Sequence, residues 1–190
     1  GIENKPRILL GGIADRIDTY TDGGKTYVRV VDYKTGNVSF DEKYVADGSD
    51  IQLPAYLFSV TSEQNKSFFS EKGEVLPGAS IYMSTVENSG NIEICRSGMI
   101  LNEDNFLFAS NDEMNYKFIS NSAANTKKDK PCPELLDADK IESIKQILTD
   151  RVINTGSDIY SGISTRCPSA DACKYCPIKT SCPVAVKTKF

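Results

Sequence analysis

Histidine is absent from all 190 residues of the chain. A Ser-His or Cys-His catalytic pair is therefore excluded within this chain, and so is a metal site that uses imidazole. No run of about 18 apolar residues occurs, so no membrane-spanning helix is expected. The first six residues lack the basic start and apolar centre of a secretory signal peptide, and they lack an initiating methionine. We therefore expect the chain to be a piece of a larger protein.

Positive charge is also scarce. The chain carries 22 basic and 26 acidic residues, for a net charge of −4, and its basic residues form no cluster. A domain that binds nucleic acid alone is usually basic. If DNA is the substrate, metal ions or partner subunits must supply the missing positive charge. The length suits a single domain over residues 1–190, with enough chain to bury a core.

The most informative stretch is residues 30–36, Val-Val-Asp-Tyr-Lys-Thr-Gly. Its first half is typical of a buried strand, and Thr-Gly suits the exit into a loop. Because side chains alternate along a strand, Asp32 and Lys34 share one face and Tyr33 lies on the other. A carboxylate beside an ammonium can bind a divalent metal and position its water. A solvated pair at a strand end has the same pattern, so this motif alone leaves both interpretations open.

The flanking segments predict a hairpin and a helix. Residues 6–18 indicate one strand and residues 26–35 a second, joined by a turn at 21–25. A helix is predicted over 49–60, with Ser49 and Gln52 in a capping box and Pro54 in the first turn. Gln52 and Tyr56 are four residues apart and share a helix face. A cap at Gln52 and a packing role for Tyr56 are the structural alternatives to a functional pair.

The second half of the chain predicts a loop, a hairpin and a long helix. The loop covers 62–78, the strands 79–86 and 91–96, an irregular stretch 110–133, and the helix 134–154. Apolar residues at helical spacing define that last helix, and Gly156 is expected just beyond its end.

Four of the six cysteines lie close together near the end of the chain, as Cys167-x5-Cys173-x2-Cys176-x5-Cys182. With no histidine, a metal site here must be all-sulfur, and both zinc and an iron–sulfur cluster accept four cysteines. Disulfides are a third possibility, although crowded cysteines in an intracellular protein more often bind metal. The spacing predicts a metal site and leaves the choice of metal open.

Taken together, four motifs resemble the RecB-like branch of the PD-(D/E)XK nuclease superfamily. They are residues 12–18 (Gly-Ile-Ala-Asp-Arg-Ile-Asp), 31–36 (Val-Asp-Tyr-Lys-Thr-Gly), 52–56 (Gln-Leu-Pro-Ala-Tyr) and the cysteine set. Their order and spacing are most similar to the nuclease domains of AddAB-type helicase–nucleases. The resemblance implies a restriction-endonuclease-like α/β fold, with a mixed central sheet flanked by helices and a Cys-rich tail over 163–190. It also implies that the chain is a C-terminal part of its parent.

The resemblance assigns catalytic roles to five residues: Asp15, Asp32, Lys34, Gln52 and Tyr56. The two acids, with the Tyr33 carbonyl, would bind Mg²⁺ or Mn²⁺. Lys34 would orient the attacking water, and Gln52 and Tyr56 would form the Q-x3-Y element near the DNA strand. Asp18 is expected to be a structural or supporting acid.

The implied activity is a metal-dependent DNA exonuclease that acts in double-strand-break repair. Its partners would be single-stranded DNA ends and an AddA-like helicase–nuclease subunit, in the bacterial cytoplasm and away from the membrane. The resemblance also implies a [4Fe–4S] cluster on Cys167, Cys173, Cys176 and Cys182. Because the family takes one ligand from an upstream cysteine that this chain lacks, either Cys167 replaces it or the cluster is incomplete. The alternatives are a stand-alone RecB-like or CRISPR-associated iron–sulfur exonuclease, and a non-catalytic DNA-binding module.

Overall fold

A computed structural model describes residues 7–70, 73–88, 90–104, 106–107, 134–163, 173 and 176–182. The predicted irregular stretch at 110–133 lies outside these residues, as do Cys132 and Cys167. The described part of the chain forms a mixed five-stranded sheet with helices packed on it. The expected fold class is therefore confirmed.

The strands lie in the sheet in the same order as in the sequence. They are β1 (Arg16–Asp22), β2 (Lys25–Thr35), β3 (Glu74–Asn88), β4 (Asn91–Leu101) and β5 (Glu134–Leu136). The β1–β2 and β3–β4 pairs are antiparallel, whereas β2–β3 and β4–β5 are parallel. The predicted first turn is confirmed: Gly23 and Gly24 join β1 to β2 with φ angles of 55° and 83°, which favour glycine.

The helices are α1 (Lys43–Asp47), α2 (Gln52–Val60) and α3 (Ala138–Tyr160), with a short 3₁₀ turn at Lys66–Phe68. Because β2 and β3 are parallel, the chain must cross over between them, and this crossover contains α1 and α2. Helix α2 packs on β2 and β3, and α3 packs on α1 and α2. The fully buried side chains of Leu53, Leu57 and Ile144 lie in the core between these layers.

The predicted strand at 6–18 is wrong in position. Pairing with β2 begins at Arg16, and residues 7–14 have no regular secondary structure. Their apolar side chains are largely outside the core, with Leu9 81% and Ile13 85% exposed. Ile8 instead packs on α3, where a Cβ at Gly156 would collide with its side chain. Apolar composition alone therefore predicted a strand where the chain lies across a helix.

Other boundaries differ because distant backbone pairs override local signals. Strand β3 begins at Glu74, inside the predicted loop, and includes Pro77 and Gly78 at a register shift opposite Val28 and Arg29. Strand β4 extends to Leu101. The long helix runs from 138 to 160 and not from 134 to 154, because residues 134–136 pair with β4.

Candidate active site

The end of β2 carries a buried acid in contact with a lysine. The Asp32 side chain is 3% exposed and the Lys34 side chain 31%, and Lys34 Nζ lies 2.6 Å from Asp32 Oδ2. Tyr33 is exposed, as alternation predicts. Asp32 Oδ2 is buried yet accepts no hydrogen bond of good geometry in the described structure. A carboxylate oxygen of this kind is suited to a metal ligand, because burial without a partner is otherwise costly.

The first turn of α2 places Gln52 directly over this pair. Lys34 Nζ donates to Gln52 Oε1 at 2.9 Å, and Gln52 Nε2 donates to Asp32 Oδ1 at 2.8 Å. The same Nε2 lies 3.3 Å from the hydroxyl of Tyr56, one turn along the helix. Gln52 therefore fixes the relative positions of the acid, the amine and the tyrosine.

The predicted capping box is wrong. Helix α2 begins at Gln52 with Ile51 at the N-cap position, and no side chain caps it. Ser49 lies outside the helix, where its backbone N–H and its hydroxyl both donate to Asp47 Oδ1. The Gln52 amide contacts Asp32 and Lys34 and so cannot reach back to cap the helix. Pro54 lies in the first turn, as expected.

Asp15 reaches the same end of β2 from the segment before β1. Its Oδ2 accepts the backbone N–H of Tyr33 at 2.8 Å, which places the carboxylate beside the residue that follows Asp32. The β1–β2 register begins one residue later, with Arg16 opposite Val31. The structure thus brings together all five predicted catalytic residues, whose roles remain predictions.

Asp18 lies on the opposite face of the sheet from Asp32, because it pairs with Arg29 in the register. It accepts hydrogen bonds from Arg16 at 2.8 Å and from two nitrogens of Arg29 at 3.0 and 2.7 Å. Burial would raise the pKa of Asp18, but the bonds from the two guanidiniums outweigh it and the net shift is downward. These contacts suit the expected structural role.

Sequence analysis missed Tyr82 and Asp50. Tyr82 is opposite Asp32 in the β2–β3 register, and its ring centroid lies 5.5 Å from Lys34 Nζ. Its hydroxyl donates to Asp50 Oδ1 at 2.6 Å. Burial, then this hydrogen bond, raises the pKa of Tyr82 well above its usual value, so it stays neutral. The alternating Ser80, Tyr82 and Ser84 on a strand were the signal that this face of the sheet is polar.

The donor set fits a hard divalent cation. Two carboxylates and a peptide carbonyl are oxygen ligands, and Mg²⁺ is commonly held by one or two carboxylates together with water and substrate phosphate. No group of three acidic, histidine or cysteine side chains converges among the described residues. The site could therefore hold Mg²⁺ or Mn²⁺ only with non-protein ligands completing the coordination, as phosphodiester chemistry requires.

Of the predicted cluster ligands, Cys173, Cys176 and Cys182 are described and are half-buried, whereas Cys167 lies outside the described residues. No disulfide joins two cysteines within the described part of the chain. The proposed ligand set therefore stays a prediction.

No helix in the described ranges is both long and apolar enough to cross a membrane. Residues 1–183 match the family model of the PD-(D/E)XK nuclease superfamily. The chain is similar to an ATP-dependent helicase/deoxyribonuclease subunit of Carboxydothermus hydrogenoformans, at 27% identity over 98% of the chain and 19% of that protein. The protein of the same name from Clostridium acetobutylicum is 40% identical over 44% of the chain and 7% of its own length. The chain thus spans about a fifth or less of these relatives.

Proposed function

Because the chain belongs to the PD-(D/E)XK nuclease superfamily, we propose that it is the metal-dependent exonuclease domain of a helicase–deoxyribonuclease. Its substrate would be single-stranded DNA ends produced during double-strand-break repair. The observation that carries this proposal is the contact of buried Asp32 with Lys34, bridged by Gln52. A solvated strand-end pair would need neither the burial nor the bridging amide.

Phosphodiester hydrolysis requires a water oxygen to bond to phosphorus while the bond to the leaving oxygen breaks. Asp15, Asp32 and the Tyr33 carbonyl would hold Mg²⁺ or Mn²⁺, which when bound supplies Lewis acidity and a water of lowered pKa. The Lys34 ammonium lies beside Asp32, so it can donate to the attacking water and offset charge that develops on the phosphate. Gln52 keeps that ammonium in place, since it accepts one of its protons.

Lys34→Ala tests the catalytic assignment. We expect degradation of single-stranded DNA in Mg²⁺ or Mn²⁺ to fall by about 10² to 10³, as for removal of other groups that stabilise transition-state charge. Lys145→Ala is the matched control, because Lys145 is an exposed lysine on α3 that pairs with Glu142 of the same helix. Equal activity of wild type and Lys34→Ala, with the fold retained by circular dichroism, would contradict the assignment.

Metal binding has a readout that does not depend on activity. Mg²⁺ or Mn²⁺ should raise the melting temperature of the wild type, by about 2.7 kcal/mol of stability at 100 times Kd. Asp32→Asn should lose most of this increase because it removes a buried charged oxygen. If the increase is unchanged in Asp32→Asn, the metal does not bind at this site.

The cysteine tail and the partner are parts of the same proposal. We propose that Cys167, Cys173, Cys176 and Cys182 hold a [4Fe–4S] cluster, which fits four thiolates and no available imidazole. Anaerobically purified protein should then absorb near about 400 nm and contain iron and sulfide. Stoichiometric zinc without iron would contradict this. The names of the relatives support an AddA-like helicase partner and a bacterial cytoplasmic setting.

A further inference from the structure

An apolar cavity of about 210 Å³ lies next to the candidate active site. Its walls include Gly12, Ile17, Ala55, Tyr56 and Val60, and the described residues that line it include no charged side chain. Ala14, at its edge, directly precedes Asp15. The cavity therefore begins where the proposed metal-binding carboxylates end.

Tyr56 belongs to both the cavity and the active site. Its hydroxyl lies 3.3 Å from Gln52 Nε2, which donates to Asp32, whereas its ring forms a wall of the cavity. The ring lies so close to the backbone of Gly12 that an added Cβ would be 2.5 Å from Tyr56 Cε1 and 2.9 Å from its oxygen. The absence of a side chain at Gly12 thus allows the aromatic ring to lie flat beside the opening.

The chemistry of this cavity suits a nucleobase and not a phosphate. It offers aliphatic side chains and one aromatic ring, which are the groups on which bases stack, and it offers no cation for a phosphate oxygen. A strand whose phosphate lies at Asp32 and Lys34 carries its next base within reach of Tyr56. A paired base has its faces covered by its neighbours in the duplex and cannot enter.

We propose that this cavity binds one unpaired base of the substrate strand, adjacent to the phosphate that is cut. The inference rests on the proposed nuclease function and extends it, because it makes the cavity a reader of single-stranded structure. Tyr56 is then a binding residue that couples the position of the base to the Gln52 network.

The test combines a modified strand with a filled cavity. Binding of an oligothymidine strand is measured with an abasic residue at each position in turn. At one position the loss should weaken binding at least about fivefold, the lower range for removal of one stacked base. Ser59 lines the cavity and is exposed, so Ser59→Leu should fill it without disturbing the core. This variant should bind the intact strand as weakly as wild type binds the abasic strand, and should no longer distinguish the two.

Ser143→Leu makes the same change on the exposed surface of α3 and should leave both affinities unchanged. A second filling variant, Ala55→Leu, repeats the measurement from inside the helix. At saturating DNA the filled variants should raise KM and keep kcat. A flat abasic scan, or an abasic penalty that persists in both filled variants, would overturn the proposal. Loss of cleavage in wild type would instead refute the nuclease function, because these affinities are measured without cleavage.

Discussion

Replacing Lys34 with methionine removes the ammonium but keeps a long side chain, so it measures how strongly the buried Asp32 depends on its counter-charge. Asp32 is 3% exposed in its side chain, and Lys34 Nζ is 2.6 Å away. Breaking a fully buried ion pair costs about 3–5 kcal/mol. Because Lys34 is 31% exposed, water can approach the carboxylate once the ammonium is gone. We therefore expect Lys34→Met to lower the free energy of unfolding by about 1–3 kcal/mol.

The double variant Asp32→Asn/Lys34→Met isolates the electrostatic part. Its amide is neutral and can still accept the hydrogen bond from Gln52 Nε2, so it should recover at least about 1 kcal/mol relative to additivity. Urea unfolding in metal-free buffer measures all four proteins, with Lys145→Met as the exposed control, expected within about 0.5 kcal/mol of wild type. If Lys34→Met is as stable as this control, or if the two changes are additive, Asp32 does not depend on Lys34.

Three further predictions concern the framework of the site. Gly98→Ala should lower stability by about 2 kcal/mol or more in calorimetry, because φ is 152° and an added Cβ would collide with the β3 backbone; a change below about 0.5 kcal/mol would refute this. Glu103→Gln should cost on the order of 1 kcal/mol at pH 7, since hydrogen bonds from Tyr27 and Lys25 hold the pKa of Glu103 below its usual value. A lowered folded pKa stabilises above the ordinary value of about 4 and is lost as pH falls through the folded value, so this difference should shrink in acid; a constant difference would contradict it. Tyr82→Phe keeps the ring under Lys34 but removes the 2.6 Å hydrogen bond to the loop before α2, so DNA cleavage should fall about tenfold with KM unchanged; unchanged kcat would show that the hydroxyl is not needed.

Much of the site could be predicted because its signals are local. The alternation around Asp32 and Lys34 follows from strand geometry, and the four-residue spacing of Gln52 and Tyr56 follows from helix geometry. Both depend only on neighbours in the chain. The family match agrees with these motifs because their order and spacing extend over nearly the whole chain.

The errors came from contacts between distant segments. Residues 134–136 were assigned to a helix by their position before an apolar repeat, but they pair with β4. Gly156 has the composition of a helix end, yet it lies inside α3 because Ile8 requires the space. Gln52 was predicted to cap its helix, and its amide instead contacts residues on β2.

The sequence by itself determined the residue types and the faces they share, because the periods of a strand and a helix are properties of the backbone. Only the tertiary structure decided that Tyr82 and Asp50 support Lys34, and that the ring of Tyr56 rests against Gly12. These contacts join segments that are tens of residues apart, so their geometry depends on sheet register and helix packing that no local pattern specifies.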